Sequence, residues 1–511
     1  MPLDQDITDT SPDYDVRLPQ WEKVRDCLEG EDTIKDGGTA YLPQPRGMKK
    51  IDFKNYLQRA NFYGVSGRTL GGLVGLVFRI DPVIDIPSQL ESMRELASPE
   101  GFTMQEIVRE ALCEVLSLGR YGLLVDMPQI DNAMPYIATW KAEDIFRWEE
   151  KIELTTGFRK LSRVVLQEEP LDSNETTTTY IRELFLDETG IYQQQRWARV
   201  QDEASTPFSS ATLTPGSFER VGELITPKRF NQPLREIPFF FANTFDKRAR
   251  TTKPPMIDLV NVNLGHYRNS ADYETALHII GSPTPYVFGI RSEDRPTTFG
   301  PAQIWHSVSK DVKAGMIEYT GTGVTSIRLA MEDKEKRMAV LGARLIRGED
   351  RENMSSETTR LNAREETSVL LSGVRTVEQV FTAACQFAAG WKGGNKDAVK
   401  FRLNRDFVET RLTSEELTAL VKSWQEGALS DEVYHYNLQR GEIMPAERTL
   451  EEEKAAREAE HEERATKNSE LAASAAAEMA EAMPAPAAPA GKAPAKKPVS
   501  RGTPSKKAPP K

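Results

Sequence analysis

Residues 254–290 read PPMIDLVNVNLGHYRNSADYETALHIIGSPTPYVFGI and predict one long helix followed at once by a different structure. Pro254 and Pro255 suit a helix start, because the N–H that proline lacks would have no intrahelical partner there. Gly281, with a proline two residues later, predicts the helix end. At ~40 Å, the helix is either a contact between subunits or the central helix of a large domain. Its apolar residues recur at spacings of three and four and form one stripe: Met256, Val260, Leu264, Tyr267 and Ala271.

The chain after this helix predicts a small α/β insert and a second helix. Short strands are predicted at Tyr286–Ile290 and Met316–Tyr319, with turn-rich sequence between them. The helical pattern then returns from Ala330 to Arg347. Its predicted inward face comprises Met338, Leu341 and Leu345.

A polar run at residues 348–356 predicts a loop, because it has too few apolar residues to be buried. A third and longer helix is predicted at Glu357–Trp391, with Gly390 near its end. The order is therefore helix, insert, helix, polar loop and long helix. The stripe of the long helix comprises Leu370, Val374, Val377, Phe381, Ala384 and Ala388.

This order and three stretches of sequence resemble the portal proteins of tailed bacteriophages. The stretches are residues 254–290, ETTRLNAREETSVLLSGVRTVEQVFTAACQFAAGW at 357–391, and FRLNRDFVETRLTSEELTALVKSWQEGALSDEVYHYNLQRGEIMP at 401–445. The chain is most similar to a portal-like family long catalogued as a domain of unknown function. None of the three stretches carries a catalytic signature, so the resemblance rests on the order of elements.

The resemblance implies an α+β fold assembled as a ring. The implied parts are an N-terminal wing (1–252), a first stem helix (253–281), a clip (282–328), a second stem helix (329–347), a tunnel loop (348–356), a long helix returning to the wing (357–398), a helical crown (399–465) and a disordered tail (466–511).

The resemblance also implies a function without catalysis or a cofactor. A ring of twelve subunits would form the channel through which double-stranded viral DNA is packaged and ejected. Its partners would be the terminase large subunit, a head-tail adaptor and the major capsid or scaffold protein. The chain would be assembled in the host cytoplasm and would lie at one capsid vertex of the virion.

Composition fits these expectations without requiring them. A chain of 511 residues can bury a sizeable core, and no apolar run reaches the ~18 residues of a membrane span. The acidic N-terminus lacks the plan of a signal peptide, which predicts an intracellular protein at synthesis. Three cysteines far apart in sequence predict neither a disulfide framework nor a zinc cluster.

Charge is distributed unevenly along the chain. From Met483 onward there is no acidic residue, and removing the seven positive charges of this tail from the net charge of −11 leaves −18 for the rest. An acidic conduit whose basic tail touches phosphate fits this pattern, as does a generic solubilising tail. The candidate DNA contacts in the tail are Lys492, Lys496, Lys497, Arg501, Lys506 and Lys507.

Residue patterns for catalysis are missing. The glycine-rich run Gly67–Gly75 has no Gly-Lys-Ser/Thr, so we interpret it as close helix packing and not as a phosphate-binding loop. The five histidines show no metal-ligand spacing with one another or with the cysteines. We therefore expect no catalytic, cofactor or metal site.

The candidate functional residues follow from the portal resemblance. Arg347, Gly348, Arg351 and Arg360 flank or begin the tunnel loop and would meet DNA, although ion pairs with neighbouring acids explain these arginines equally simply. Leu264 and Phe381 are the candidate subunit contacts, because the two stripes are longer than one slender subunit can cover. Two alternatives remain, namely another ring or adaptor of the virion, and an enzyme acting on nucleic acid, which only the basic tail favours.

The tail generates the first testable prediction. Deleting residues 483–511 should leave assembly intact but weaken DNA binding and flatten its salt dependence, by about 0.9 in log–log slope for each phosphate that the tail no longer neutralises. The measurement is a binding titration at several salt concentrations. A matched control replaces the seven basic residues by Gln, and a failure to assemble in either variant would show that the tail is structural.

Overall fold

The structure is a computed structural model that divides into two compact units, Met1–Phe407 and Val408–Lys511. It describes residues 7–128, 130, 133–153, 156–168, 180–199, 218–281, 284–291, 311–317, 322–347, 368–405, 407, 414–440, 443–444 and 448–481. Helices and strands are both abundant, so the predicted α+β class is confirmed.

The described helices are α1 (Pro12–Glu29), α2 (Glu31–Asp36), α3 (Lys50–Arg59), α4 (Val65–Val77), α5 (Met104–Ser117), α6 (Ile257–Ile280), α7 (Thr322–Arg347), α8 (Val369–Trp391), α9 (Ser414–Gln425), α10 (Asp431–Arg440) and α11 (Leu450–Glu481). The strands are β1 (Val83–Asp85), β2 (Arg120–Asp126), β3 (Tyr136–Lys141), β4 (Ile145–Ile152), β5 (Arg159–Glu168), β6 (Tyr180–Leu186), β7 (Tyr192–Arg199), β8 (Phe218–Ile225), β9 (Lys228–Arg229), β10 (Gln232–Pro233), β11 (Phe239–Asn243), β12 (Thr284–Phe288), β13 (Lys313–Ile317) and β14 (Lys400–Arg402).

The strands form antiparallel sheets with mostly sequential neighbours. One sheet has the order β11-β2-β3, and a second is the meander β4-β5-β6-β7-β8. Three further ladders join two strands each: β1 with β14, β9 with β10, and β12 with β13. The β1–β14 ladder brings the chain that follows α8 back to the N-terminal half of the protein.

The core of the first unit is built around α5, α8 and the central strand β2. Every residue of β2 is buried, and Gly122 within it lies against two larger side chains. A Cβ at Gly122 would lie 2.4 Å from Phe239 Cζ and 2.8 Å from Ile145 Cδ1, so only glycine fits without movement. Gly119, with φ of +84°, makes the turn from α5 into β2.

Most helix ends and stripes of the 254–391 region are confirmed. Helix α6 ends at Ile280 as predicted and begins at Ile257, directly after the two prolines. All five residues of its stripe are buried, and so are the six residues of the predicted stripe on α8. The predicted strands of the insert are present as a hairpin, shifted by two to three residues toward the N-terminus.

Three predicted boundaries are wrong. The clip boundary at 328 falls inside α7, which begins at Thr322. The crown cannot begin at residue 399, because β14 pairs with β1 and Glu378 of α8 accepts a hydrogen bond from the backbone N–H of Leu403 at 2.7 Å. The tail is helical as far as Glu481, because alanine and glutamate are strong helix formers even in low-complexity sequence. Residues 482–511 lie outside the described part.

Two sequence interpretations of the N-terminal half also need correction. The sequence predicts a strand that begins at Ile152, but Ile152 is the last residue of β4. The glycine run lies on α4, yet added Cβ atoms at Gly71, Gly72 and Gly75 would meet nothing within 4 Å. These glycines face open space and do not serve close helix packing.

The two stripes do not exceed what one subunit covers. Leu264 is 3% exposed and Phe381 is fully buried, and both contribute to the hydrophobic core of the same chain. Helix α8 also buries residues on its other faces, including Leu371, Val380 and Trp391. Helix α8 is therefore a central helix of a large domain, the alternative that the sequence left open for long helices.

Burial of Phe381 generates the second prediction. Phe381→Ala should lower the free energy of unfolding by about 3–5 kcal/mol, because it leaves a cavity in the core. Phe158 is 76% exposed, so Phe158→Ala should change it by no more than about 0.5 kcal/mol. Urea unfolding followed by circular dichroism measures both. Equal midpoints for the two variants would contradict the burial of Phe381.

Candidate assembly interface

The segment from α6 to α7 forms an antiparallel pair of helices joined through the β12–β13 hairpin, and we call these four elements the arm. The first half of α6 is fixed to the body of the first unit. Asn263 Nδ2 donates to Ser66 Oγ at 3.2 Å, and Asp272 accepts a hydrogen bond from the Tyr56 hydroxyl at 2.6 Å. Apolar residues of α6 down to Ala271 are buried beside these contacts. The base of the arm is therefore part of the core.

Helix α7 is held against α6 near the middle of the arm. His266 Nε2 lies 3.2 Å from Glu335 Oε1. One residue away, a Cβ at Gly265 would lie 3.3 Å from Lys334 Cε, so the lysine stem crosses α6 where no side chain projects. The predicted solvated face of α7 thus includes two residues that bind α6 through polar and aliphatic contacts.

The pKa of His266 reflects this packing. Burial lowers it below its ordinary value, and Lys334 adds to the lowering, whereas the hydrogen bond and charge of Glu335 raise it. The ring also lies beside Tyr63, with 5.6 Å between the ring centroids. The histidine is therefore favoured in its neutral form within the arm.

The return end of the arm also enters the core. Met338 and Leu345 of α7 are buried, and Leu341 is half-buried, as predicted. The Ser368 hydroxyl, at the N-cap of α8, donates to the Leu345 carbonyl at 3.3 Å. Both ends of the arm are therefore anchored, and its position is set by the same core that holds α8.

The far end of the arm exposes large apolar side chains. Phe288 is 65% exposed and Met316 is 57% exposed, on strands β12 and β13 respectively. Exposed apolar side chains in contiguous patches mark interaction sites more often than scattered ones do. We call the following set the tip residues: Leu277, Ile279, Phe288, Met316 and Leu329.

The β12–β13 hairpin exposes apolar groups on both faces. Phe288 pairs with Lys313, and Pro285 pairs with Met316, so Phe288 and Met316 lie on opposite faces of the ladder. The Tyr286 and Phe288 rings are neighbours, with centroids 5.2 Å apart. A two-stranded hairpin is marginally stable alone, so a contact that covers either face would stabilise it.

Most of the predicted site residues are not brought together. Leu264 and Phe381 are buried in the chain's own core, so neither side chain is available as the predicted subunit contact. Arg347 is the last residue of α7. Gly348, Arg351, Arg360 and the six tail residues at 492–507 lie outside the described part.

Sequence reasoning misses the tip residues because their signal is short. Val287 and Ala314 alternate with larger neighbours, as in any half-buried strand. Periodicity cannot tell which faces of a two-stranded ladder are covered by the rest of the chain.

The described ranges contain neither a group of three or more His, Cys, Asp or Glu residues placed to hold a metal ion nor a helix apolar and long enough to span a membrane. The arrangement they do contain is an anchored arm with an apolar end.

His266 generates the third prediction. Because its pKa is lowered on folding, the unfolded chain binds more protons, so stability is complete above pH 6.5 and is lost as the pH falls below that value. His266→Gln should therefore reduce the difference in urea midpoint between about pH 7.5 and about pH 5.5. An unchanged difference would contradict a neutral His266, and Gln retains a side chain that can hydrogen-bond Glu335.

Comparisons with known proteins match the arm and, more loosely, most of the chain. Residues 255–392, from the start of the arm through α8, match the family model described as Domain of unknown function (DUF4055). No curated protein matches the chain. Among solved structures, the neck of a native GTA particle computed with C12 symmetry is similar at TM-score 0.36 and 11% identity, over 80% of this chain and 98% of that one. The neck of an empty GTA particle computed with C6 symmetry gives 0.36 and 11%, over 78% and 98%. The virion of a native gene transfer agent particle gives 0.34 and 11%, over 78% and 96%.

Proposed function

We propose that this chain is a portal subunit, which forms a ring with copies of itself at one capsid vertex of a phage-like particle. In this proposal α6 and α7 are the stem helices, the β12–β13 hairpin belongs to the clip, and the rest of the first unit forms the wing. The helices at 414–481 form the crown. The match to the DUF4055 model covers the arm and α8, the part on which this assignment depends.

The observation that carries the proposal is the contrast between the two ends of the arm. Its base is fixed by the Asn263–Ser66 and Tyr56–Asp272 hydrogen bonds and by buried apolar residues. Its far end exposes Phe288 and Met316 on opposite faces of one hairpin. Two unlike faces, each covered by a neighbour, give a head-to-tail contact that closes into a ring when the rotation allows.

The charge pattern of α7 supports a channel wall. Its exposed residues carry both signs in close sequence, as in the Arg328–Glu332 pair one turn apart and the Asp333–Lys336 pair at 3.9 Å. A wall of mixed sign on a chain with a net charge of −11 gives little net attraction for phosphate. Double-stranded DNA would therefore pass without being held, while the force comes from a separate terminase.

The remaining partners follow from the resemblance to portal proteins. The clip would contact the terminase large subunit and later the head-tail adaptor, and the wing would contact the major capsid or scaffold protein. The tunnel loop at 348–356 and the basic tail would contact DNA. The protein would have no catalytic role, and it would enter the virion after assembly in the host cytoplasm.

Another virion ring or adaptor is the nearest alternative, because an apolar tip would also serve its assembly. The structural neighbours are two necks and a virion of gene transfer agent particles. At TM-scores of 0.36 and below, the proposal rests on the residues of this chain. A stalk built from paired helices around a central hole would separate a portal from a flat adaptor ring.

The fourth prediction tests the ring and the tip together. The purified chain should form a ring with a central hole in negative-stain images, and its mass by light scattering should be a multiple of 57.4 kDa. Phe288→Asp should yield monomers or small oligomers, because it places a charge in a desolvated contact without a partner. Phe158→Asp is the matched control, since Phe158 is an equally exposed aromatic residue on the β4–β5 connection.

Circular dichroism should show all three proteins equally folded, because both aromatic side chains are exposed. A wild-type chain that is monomeric at high concentration would contradict the proposal. Rings from Phe288→Asp that match the wild type in mass and stability would remove the tip from the interface.

A further inference from the structure

The helical unit at 414–481 contains a cleft of about 160 Å³ between α9, α10 and α11. Trp424 of α9 forms one wall, and its position is fixed by three contacts. Its ring stacks on Tyr434 with centroids 4.6 Å apart, and its Nε1 donates to Asp431 Oδ1 at 2.9 Å. The Arg457 guanidinium lies over the ring at 5.4 Å from its centroid. The wall is therefore preformed.

A buried histidine lines the same cleft without a full set of partners. His435 is 8% exposed, and its Nε2 has no hydrogen-bond partner within the chain as described. Buried polar groups in native proteins are nearly always paired. A group that enters the cleft with a hydroxyl or amide would supply the missing hydrogen bond.

The size of the cleft favours a single aromatic side chain over a small-molecule ligand. Cavities of about 150 Å³ in protein cores accept a benzene ring, whereas small-molecule sites usually measure about 300–1,000 Å³. The lining combines the Trp424 ring with the apolar side chains of Leu438, Met444 and Leu450. The chemistry therefore fits a tyrosine, whose ring packs on the apolar wall and whose hydroxyl reaches a polar group.

This chain presents such a side chain on the same helix. Tyr436 is 62% exposed, and Val433, one turn before it, is also exposed. Tyr436 follows the cleft residue Tyr434 by two positions, which is about 200° around the helix axis. Helix α10 therefore places a cleft on one side of the unit and an exposed tyrosine on the opposite side.

We infer that Tyr436 of one subunit fills the cleft of its neighbour, stacking beside Trp424 and hydrogen-bonding to His435 Nε2. A knob and a cleft on opposite sides of one unit form a head-to-tail contact, the type that generates rings. The inference rests on the ring proposed above and adds to it a second contact, separate from the tip. Its occupant is a second copy of this chain.

Cross-linking tests the contact directly in the full chain. Tyr436→Cys combined with Met444→Cys, treated with a short bismaleimide, should give a ladder of linked subunits on a denaturing gel. Each single-cysteine variant should give monomer, because the linker then lacks its second thiol. The native residues Cys27 and Cys385 are buried, and the unsubstituted chain controls for Cys113, which is partly accessible.

Ring stability provides the second measurement. Tyr436→Ala should raise the protein concentration at which half the rings dissociate by about tenfold, the effect of removing one central aromatic side chain from an interface. Tyr436→Phe should have a smaller effect, because it keeps the ring and removes only the hydroxyl. Phe158→Ala is the matched control for removing an exposed aromatic side chain, and it should leave dissociation unchanged.

The outcomes separate this inference from the portal proposal. Rings that form normally, give no ladder from the double-cysteine chain and tolerate Tyr436→Ala would overturn the inference and leave the portal proposal in place. A wild-type chain that forms no ring would overturn both. A ladder together with weaker rings for Tyr436→Ala would support both.

Discussion

The seating of the first half of α6 in the core is the constraint on which the rest of this structure depends. Tyr267 and Leu264 are buried there, and the Asn263–Ser66 hydrogen bond joins α6 to α4 in the same region. Because α7 is held to α6 through His266 and Glu335, the direction of the whole arm follows from that seat. A fixed arm can present its far end to a neighbouring subunit without the entropic cost of ordering a flexible one.

Much of this arrangement could be predicted from local sequence. The prolines before Ile257 and the glycine after Ile280 mark the helix, and the spacing of Met256, Val260 and Leu264 identifies its buried face. What could not be predicted is what covers that face. A stripe has the same spacing whether its own chain or a second copy buries it. For this reason the sequence favours a subunit contact for Leu264 and Phe381, whereas both lie in the core.

Long-range pairing explains the other differences. Phe401 lies in a segment too short to predict as a strand, and its place in the first unit depends on β14 pairing with β1 and on contact with the Phe381 ring, 5.6 Å away between centroids. Neither partner is near it in sequence. The extension of α11 to Glu481 has the opposite cause, since local helix propensity prevailed where low complexity predicted disorder. The tip residues and the Trp424 cleft depend on exposure, which no pattern of spacing reports.

The central claim is that the arms converge around the axis of a ring, and the most direct measurement is a cryo-electron microscopy reconstruction of the purified chain. The account predicts a closed ring in which α6 and α7 line a central stalk and Phe288 and Met316 of each subunit contact neighbouring subunits. A ring whose arms point outward, with these two side chains in solvent, would contradict it.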